Sequence, residues 1–201
     1  MKEYHSWALW IFNATYLFWG GAYFLQDLNI EFVIYVAVIV VIIGTVLLSA
    51  QRTEFPAWQL WLLSLWGLMH VLGGAVMIDG GVLFGYHIYP FLDLGKDFYI
   101  LKYDQVVHFY LYGLVATMSF FLLSRRSKAR QRTLALFAIL TSVGISALNE
   151  IMEFLISVAV PQNGVGGYVN SMLDLIFNLG GAVVATLLYV LILKARGKMS
   201  K

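Results

Sequence analysis

A chain of 201 residues that is 61% apolar and only 12% charged has too little polar surface to face water as an ordinary soluble domain does. Its formal net charge is +2, and its Lys and Arg sit at the ends of apolar segments rather than in an exposed basic stripe, so nothing points to nucleic acid as a partner. There is no Cys, which excludes disulfides, iron-sulfur clusters and thiolate ligands; any bound metal must use nitrogen and oxygen.

Six apolar stretches are long enough to cross a hydrocarbon core of ~30 Å as helix: 7–25, 32–49, 58–78, 103–124, 133–158 and 172–194. The first is long, rich in Trp, Tyr and Phe and without a small-residue cleavage site before Gln26, so it reads as a retained anchor rather than a signal peptide. The second, from Phe32 to Leu48, is apolar on every face and β-branched, as suits a scaffold helix in contact with lipid. The third carries Trp58 and Trp61 at the end expected in an interfacial belt, with Trp66 further in. Gly73, Gly74, Ser142, Gly144, Ser146, Gly180 and Gly181 are small residues that let helices approach closely in lipid. Between the third and fourth segments, residues 79–102 mix glycines with Phe84, Tyr86, Tyr89, Phe91, Phe98 and Tyr99, the composition of an interfacial loop or a lid.

Orientation follows from charge. Lys96 and Lys102 are the only Lys or Arg on one side; Lys2, Arg52, the run from Arg125 to Arg132 and the tail from Lys194 to Lys201 all fall on the other. The positive-inside rule then places both termini in the cytoplasm. The expectation is an all-α, polytopic integral membrane bundle of six transmembrane helices, N-in and C-in, forming a single domain over residues 1–201, with no internal repeat.

Against this background, ionisable residues inside the spans stand out. An Asp at a helix centre costs roughly 2.5–3.5 kcal/mol even on the lower insertion scales, so such groups face a bundle interior or a cavity. Segment three offers His70; segment four Asp104 and His108, four apart on one face; segment five Glu150 and Glu153, three apart; segment six Asn170, Asp174 and Asn178 as an i, i+4, i+8 stripe. At 1.5 Å per residue all of them fall in the outer leaflet, at or below the rim, which predicts one polar pocket opening outward. Four carboxylates with no buried Lys or Arg cannot all stay ionised, leaving protonated carboxyls, carboxylate–imidazolium pairs or a bound metal. Imidazole together with carboxylates suits a divalent transition metal such as zinc, iron or manganese better than calcium. In that reading His70, His108, Glu150 and Asp174 are the candidate ligands, Asp104 and Asn178 support them from behind, and Glu150 and Glu153 are the candidate catalytic acid–base groups of a metal-dependent hydrolase. The competing readings are a non-catalytic bundle held together by its polar residues, and a proton- or ion-coupled transporter. Transport needs polar groups through both leaflets, and the inner half has no ionisable residue. His5 and His87 stand alone near interfaces and read as solvated or packed.

Four blocks of the chain resemble the YjdF-like family of uncharacterised bacterial inner-membrane proteins. They are the run from His70 to Gly74, the run from Tyr103 to Phe109, the run from Ser146 to Phe154 and, after a glycine-rich turn, the run from Tyr168 to Gly181. The later blocks are also similar to VanZ-like proteins linked to glycopeptide resistance, which share an Asp-x-x-x-His-Phe helix, a glutamate helix and an Asp-x-x-x-Asn-x-x-Gly helix. Those proteins commonly carry Gln where this chain has Glu153. The resemblance implies a cell-membrane protein whose polar positions form one unit: His70, Asp104, His108, Glu150, Glu153, Asp174 and Asn178. The resemblance names no substrate; the apolar spans make the bilayer the expected partner, and the outward-facing pocket makes a lipid or envelope component the expected substrate class.

Overall fold

A computed structural model describes residues 3–26, 29–95, 98–160 and 167–197, with side chains from Trp7 onward. Lys2, Lys96, the distal tail, the side chain of His5 and the glycine-rich turn before Tyr168 lie outside them. Six long helices account for most of the chain: α1 (Glu3–Gln26), α2 (Ile30–Thr53), α3 (Ala57–Ala75), α4 (Tyr103–Arg126), α5 (Gln131–Ala159) and α6 (Tyr168–Ala195). Of these, α2, α4, α5 and α6 are long and apolar enough to cross a membrane. Indoles and phenols temper the apolarity of α1, while α3 is the shortest and carries Gln59 and His70.

The chain is not wholly helical. Two antiparallel hairpins separate α3 from α4: β1 (Met77–Ile78) with β2 (Gly81–Val82), and β3 (His87–Gly95) with β4 (Phe98–Lys102). The first turns through Asp79 and Gly80, both at positive φ (50° and 82°), with Ile78 paired to Gly81. Two central residues at positive φ give the two-residue connection whose twist matches that of the flanking strands, and Asp-Gly is among its preferred sequences. A 3-10 turn at Leu83–Gly85 then lays Phe84 over α3, where a Cβ on Gly73 would fall 2.6 Å from its ring. β3 is exposed along its length and β4 is largely covered. His87 stacks on Tyr99 across this hairpin, centroids 3.6 Å apart, so it is packed within the loop.

The largest apolar core lies among α1, α2, α3 and α4, around Leu9, Phe32, Ile39, Leu60, Trp66 and Val107. Trp66 belongs to this core, whereas Trp58 is 43% exposed. α1 is keyed to α3 by Asn13, which is buried, donates to Ser64 Oγ (2.7 Å) and accepts from the Tyr16 hydroxyl (2.7 Å). Asn13→Ala should lower the unfolding free energy by about 1–2 kcal/mol, because the partners left behind have no water to turn to. Equilibrium unfolding in detergent measures it, and an unchanged transition would remove this pair from the account.

α5 is tied to α4 where Ser142 donates to the Tyr112 carbonyl (2.6 Å). α4 and α6 make the most intimate pair. Gly113 and Gly181 meet backbone to backbone, with no room for a Cβ on Gly181 against the Phe109 carbonyl, whereas Gly144 faces open space and is no packing site within the chain. His108 meets Asn178, and Gly113 lies beside Gly181 and Ala185, so the two helices run parallel with their polar positions level.

Candidate functional site

The parallel register of α4 and α6 assembles the site. α6 begins at Tyr168, four residues before the sequence-based boundary, because Tyr168, Val169 and Asn170 continue the helix from Gly167. Asp174 therefore lies ~9 Å along α6, level with His108 at ~8 Å along α4 and with Glu153, ~9 Å from the far end of α5. Three helices thus present polar groups at one depth.

His108 is the hub. It is 7% exposed, and its Nε2 lies 3.5 Å from Asp104 Oδ1 and 4.0 Å from Glu153 Oε1. Its Nδ1 lies 3.1 Å from Asn178 Oδ1 and 3.7 Å from Glu150 Oε1. An amide oxygen accepts only, so Nδ1 carries a hydrogen and donates to Asn178, while Nε2 faces the Asp104 and Glu153 carboxylates. Asp104, His108 and Asp174 form one group, and His108, Glu150 and Glu153 a second; within each, one ligand atom per residue lies within 4.8 Å of the others.

Around this hub the polar residues are held mostly by their own helices. Asn149 donates to Glu153 Oε1 (2.7 Å) one turn along α5, and Asn170 donates to Asp174 Oδ2 (2.6 Å) one turn along α6. Lys102 Nζ donates to Asn170 Oδ1 (3.1 Å), placing a cation one amide away from Asp174 at the rim. Gln105, fully buried, donates to the Tyr99 carbonyl (2.8 Å) and accepts from the Lys102 backbone (3.0 Å), fastening β4 to the start of α4 beside Asp104.

Both Glu150 oxygens, Asp174 Oδ1 and Asn178 Nδ2 are buried with no hydrogen-bond partner among the described residues. An unpartnered buried polar atom costs about 1–3 kcal/mol, and more when it is charged. Glu150 Oε1 lies 3.7 Å from the His108 ring and a carboxylate oxygen of Asp174 within 4.8 Å of it, which fits a group that accepts electron pairs from oxygen and nitrogen together. A divalent transition metal meets that description, and the absence of sulfur and the presence of a histidine favour zinc, iron or manganese over softer or strictly oxygen-bound ions.

His70 is placed apart from both groups. Its ring is enclosed by Phe84 (centroids 5.0 Å), Tyr35 (5.6 Å) and Trp66 (5.7 Å), so α3 directs it into an aromatic cage. Depth alone had placed it with the others; rotation about the helix axis separates it. Asp104, expected as a supporting residue, instead stands among the potential ligands. Asn149 and Gln105 escaped the sequence reading, although each had a signal: Asn149 precedes Glu153 by one helical turn, and Gln105 occupies the third position of α4, where Gln reaches back to the preceding backbone N–H.

An elongated cavity of about 430 Å³ runs beside the site, lined by Tyr35, Ile39, Trp66, His70, Tyr112, Asn149 and other, mostly apolar, side chains of α2 to α5. It passes from Asn149 and Tyr112 at the polar group to Phe55 and Leu122 at the other end of the bundle. The half of the bundle away from the site is not wholly apolar: Gln59 donates to Thr117 (3.4 Å), and Gln59 Oε1 and Thr186 Oγ1 are buried without partners among the described residues.

Long apolar helices enclosing a small set of buried ionisable residues define a helical membrane protein. Residues 5–195 match the family model described as "Predicted membrane protein (DUF2238)", and the chain belongs to that family. No curated protein and no solved structure matches it.

Proposed function

We propose that this protein is a six-span cell-membrane protein, N-in and C-in, of the YjdF-like kind, which binds a divalent transition metal in its outer leaflet and hydrolyses an ester or phosphoester of a lipid. The observation that carries the reading is the set of unpartnered carboxylate oxygens around His108. Asp104, His108 Nε2 and Asp174 are the residues that would hold the ion, with Asn178 fixing the ring from behind through Nδ1. Such an ion supplies a lowered pKa for bound water and polarisation of the scissile group. Glu150, outside the Asp104–His108–Asp174 group, would be left to move a proton, and Glu153, oriented by Asn149, would be the second acid–base group.

A purely structural role fits less well. Where polar residues bind these helices together, the bonds cross between them, as Asn13 to Ser64 and Ser142 to Tyr112 do. In the His108 group the Asn149 and Asn170 amides instead serve carboxylates of their own helices, and the contacts that do cross, from His108 to Asn178, Glu150 and Glu153, all centre on one imidazole.

The lipid follows from the cavity. From Leu111 to Leu122 it extends ~17 Å along α4, more than half the hydrocarbon thickness, and its walls are mostly aliphatic and aromatic. It suits a hydrocarbon chain whose polar end lies at His108 and Glu153. Elemental analysis of purified protein tests the reading: a transition metal near one per chain is expected. Folded protein that is metal-free and gains no thermal stability from added zinc, manganese or iron would overturn it.

A further inference from the structure

At the end of the bundle remote from His108, α4, α5 and α6 splay around a recess of about 1270 Å³. Its rim carries Lys128, Arg130, Arg132, Lys194 and Arg196, and among the described residues no acidic side chain lines it. Glu54, the carboxylate at the neighbouring α2–α3 link, is paired with Arg125, which does not line the recess. Two features separate this recess from an ordinary basic loop. The first turn of α5 opens into it with no acidic residue, and the N-cap Arg130 makes no side-chain cap bond, so the positive end of a 29-residue helix adds to the side-chain charge. The floor is apolar and ordered: Phe120 packs edge-on to Tyr189 (centroids 5.9 Å), Trp58 flanks Tyr189 (5.6 Å), and Leu134 and Leu193 complete the wall.

We propose that this recess binds an anionic phospholipid, its phosphate held by Arg130, Arg132 and Lys194 and its glyceride and upper acyl chain laid against Phe120, Leu134 and Leu193. A free anion would use the cations and leave the apolar wall bare, and a neutral lipid would use the wall and leave the cations unpaired; an anionic lipid satisfies both. The site is independent of the metal reading. Under the charge rule it lies at the cytoplasmic surface, where anionic lipids are drawn to basic residues at about 1 kcal/mol each.

The test uses full-length protein in detergent, with phosphatidylglycerol, phosphatidylcholine or inorganic phosphate added, read by native mass spectrometry and thermal shift. Phosphatidylglycerol should bind and stabilise more than either alternative. Arg130→Gln with Arg132→Gln should weaken it roughly 30-fold, two such charges at about 1 kcal/mol each. Arg52→Gln with Arg126→Gln removes equal charge outside the recess and should leave binding within about twofold, as should Arg130→Lys with Arg132→Lys. Equal losses in the two Gln pairs would mean only a diffuse positive surface and would sink the proposal. So would phosphate competing at the same concentration as the lipid, or phosphatidylcholine binding equally well.

Discussion

Replacing His108 by Ala should reduce bound transition metal from near one per chain to less than a tenth of that, with Asp174→Asn close behind. The imidazole supplies the nitrogen donor common to both potential ligand groups, and none of the four carboxylates can replace it. Asp174 is wholly buried with one oxygen unpartnered, so its amide would put a donor N–H or a weaker carbonyl ligand where the ion expects a charged oxygen. His70→Phe should leave metal content unchanged, since His70 sits among Tyr35, Trp66 and Phe84 and Phe preserves that packing. Glu150→Gln should keep the ion while abolishing hydrolysis, a separation expected of a proton-transfer group but not of a ligand. The decisive comparison is the thermal shift on adding zinc or manganese: several degrees in the parent protein, none in His108→Ala. If both gain equally, the ion binds elsewhere.

The six helices were legible as long apolar runs, and their observed boundaries differ from the expected ones by a few residues each; among the described residues, four of them, α2, α4, α5 and α6, also meet the length and apolarity that a bilayer imposes. The convergence of Asp104, His108, Glu150, Glu153, Asp174 and Asn178 was legible for a related reason: in a nearly charge-free helix an ionisable residue has few places to point. Two things were not. Depth along a helix follows from counting residues, but rotation about its axis does not, and His70 shares the depth of the site while facing the aromatic cage. The hairpins between α3 and α4 were hidden by the aromatic and glycine content of residues 79–102, a composition that an interfacial loop shares. The Asp79-Gly80 pair between Ile78 and Val82 was the available sign, and it is a turn signal rather than a loop signal. The exposed β3 has no alternation of burial to betray it, so periodicity was silent there.

Gly180 and Gly181 are adjacent, equally small and expected to respond very differently to the same substitution. A Cβ on Gly180 would stand 3.6 Å from the edge of the Phe109 ring, an ordinary contact. A Cβ on Gly181 would collide with the Phe109 carbonyl oxygen and come within 2.8 Å of its carbonyl carbon, both backbone atoms that no rotamer change can move. Gly181→Ala must therefore push α4 from α6, at a cost at or above the upper end of the ~1–3 kcal/mol typical of overpacking, while Gly180→Ala should be nearly neutral. Phe109 follows His108 directly, and Gly181 lies less than one turn beyond Asn178, so the displacement acts on the His108–Asn178 bond before it reaches anything else. Gly181→Ala should accordingly lose metal affinity along with stability, although its methyl touches no ligand. Thermal unfolding and metal content measured on both variants check this. Gly181→Ala protein that melts and binds metal as the parent does would show that α4 and α6 are not held as closely as Gly113 and Gly181 require.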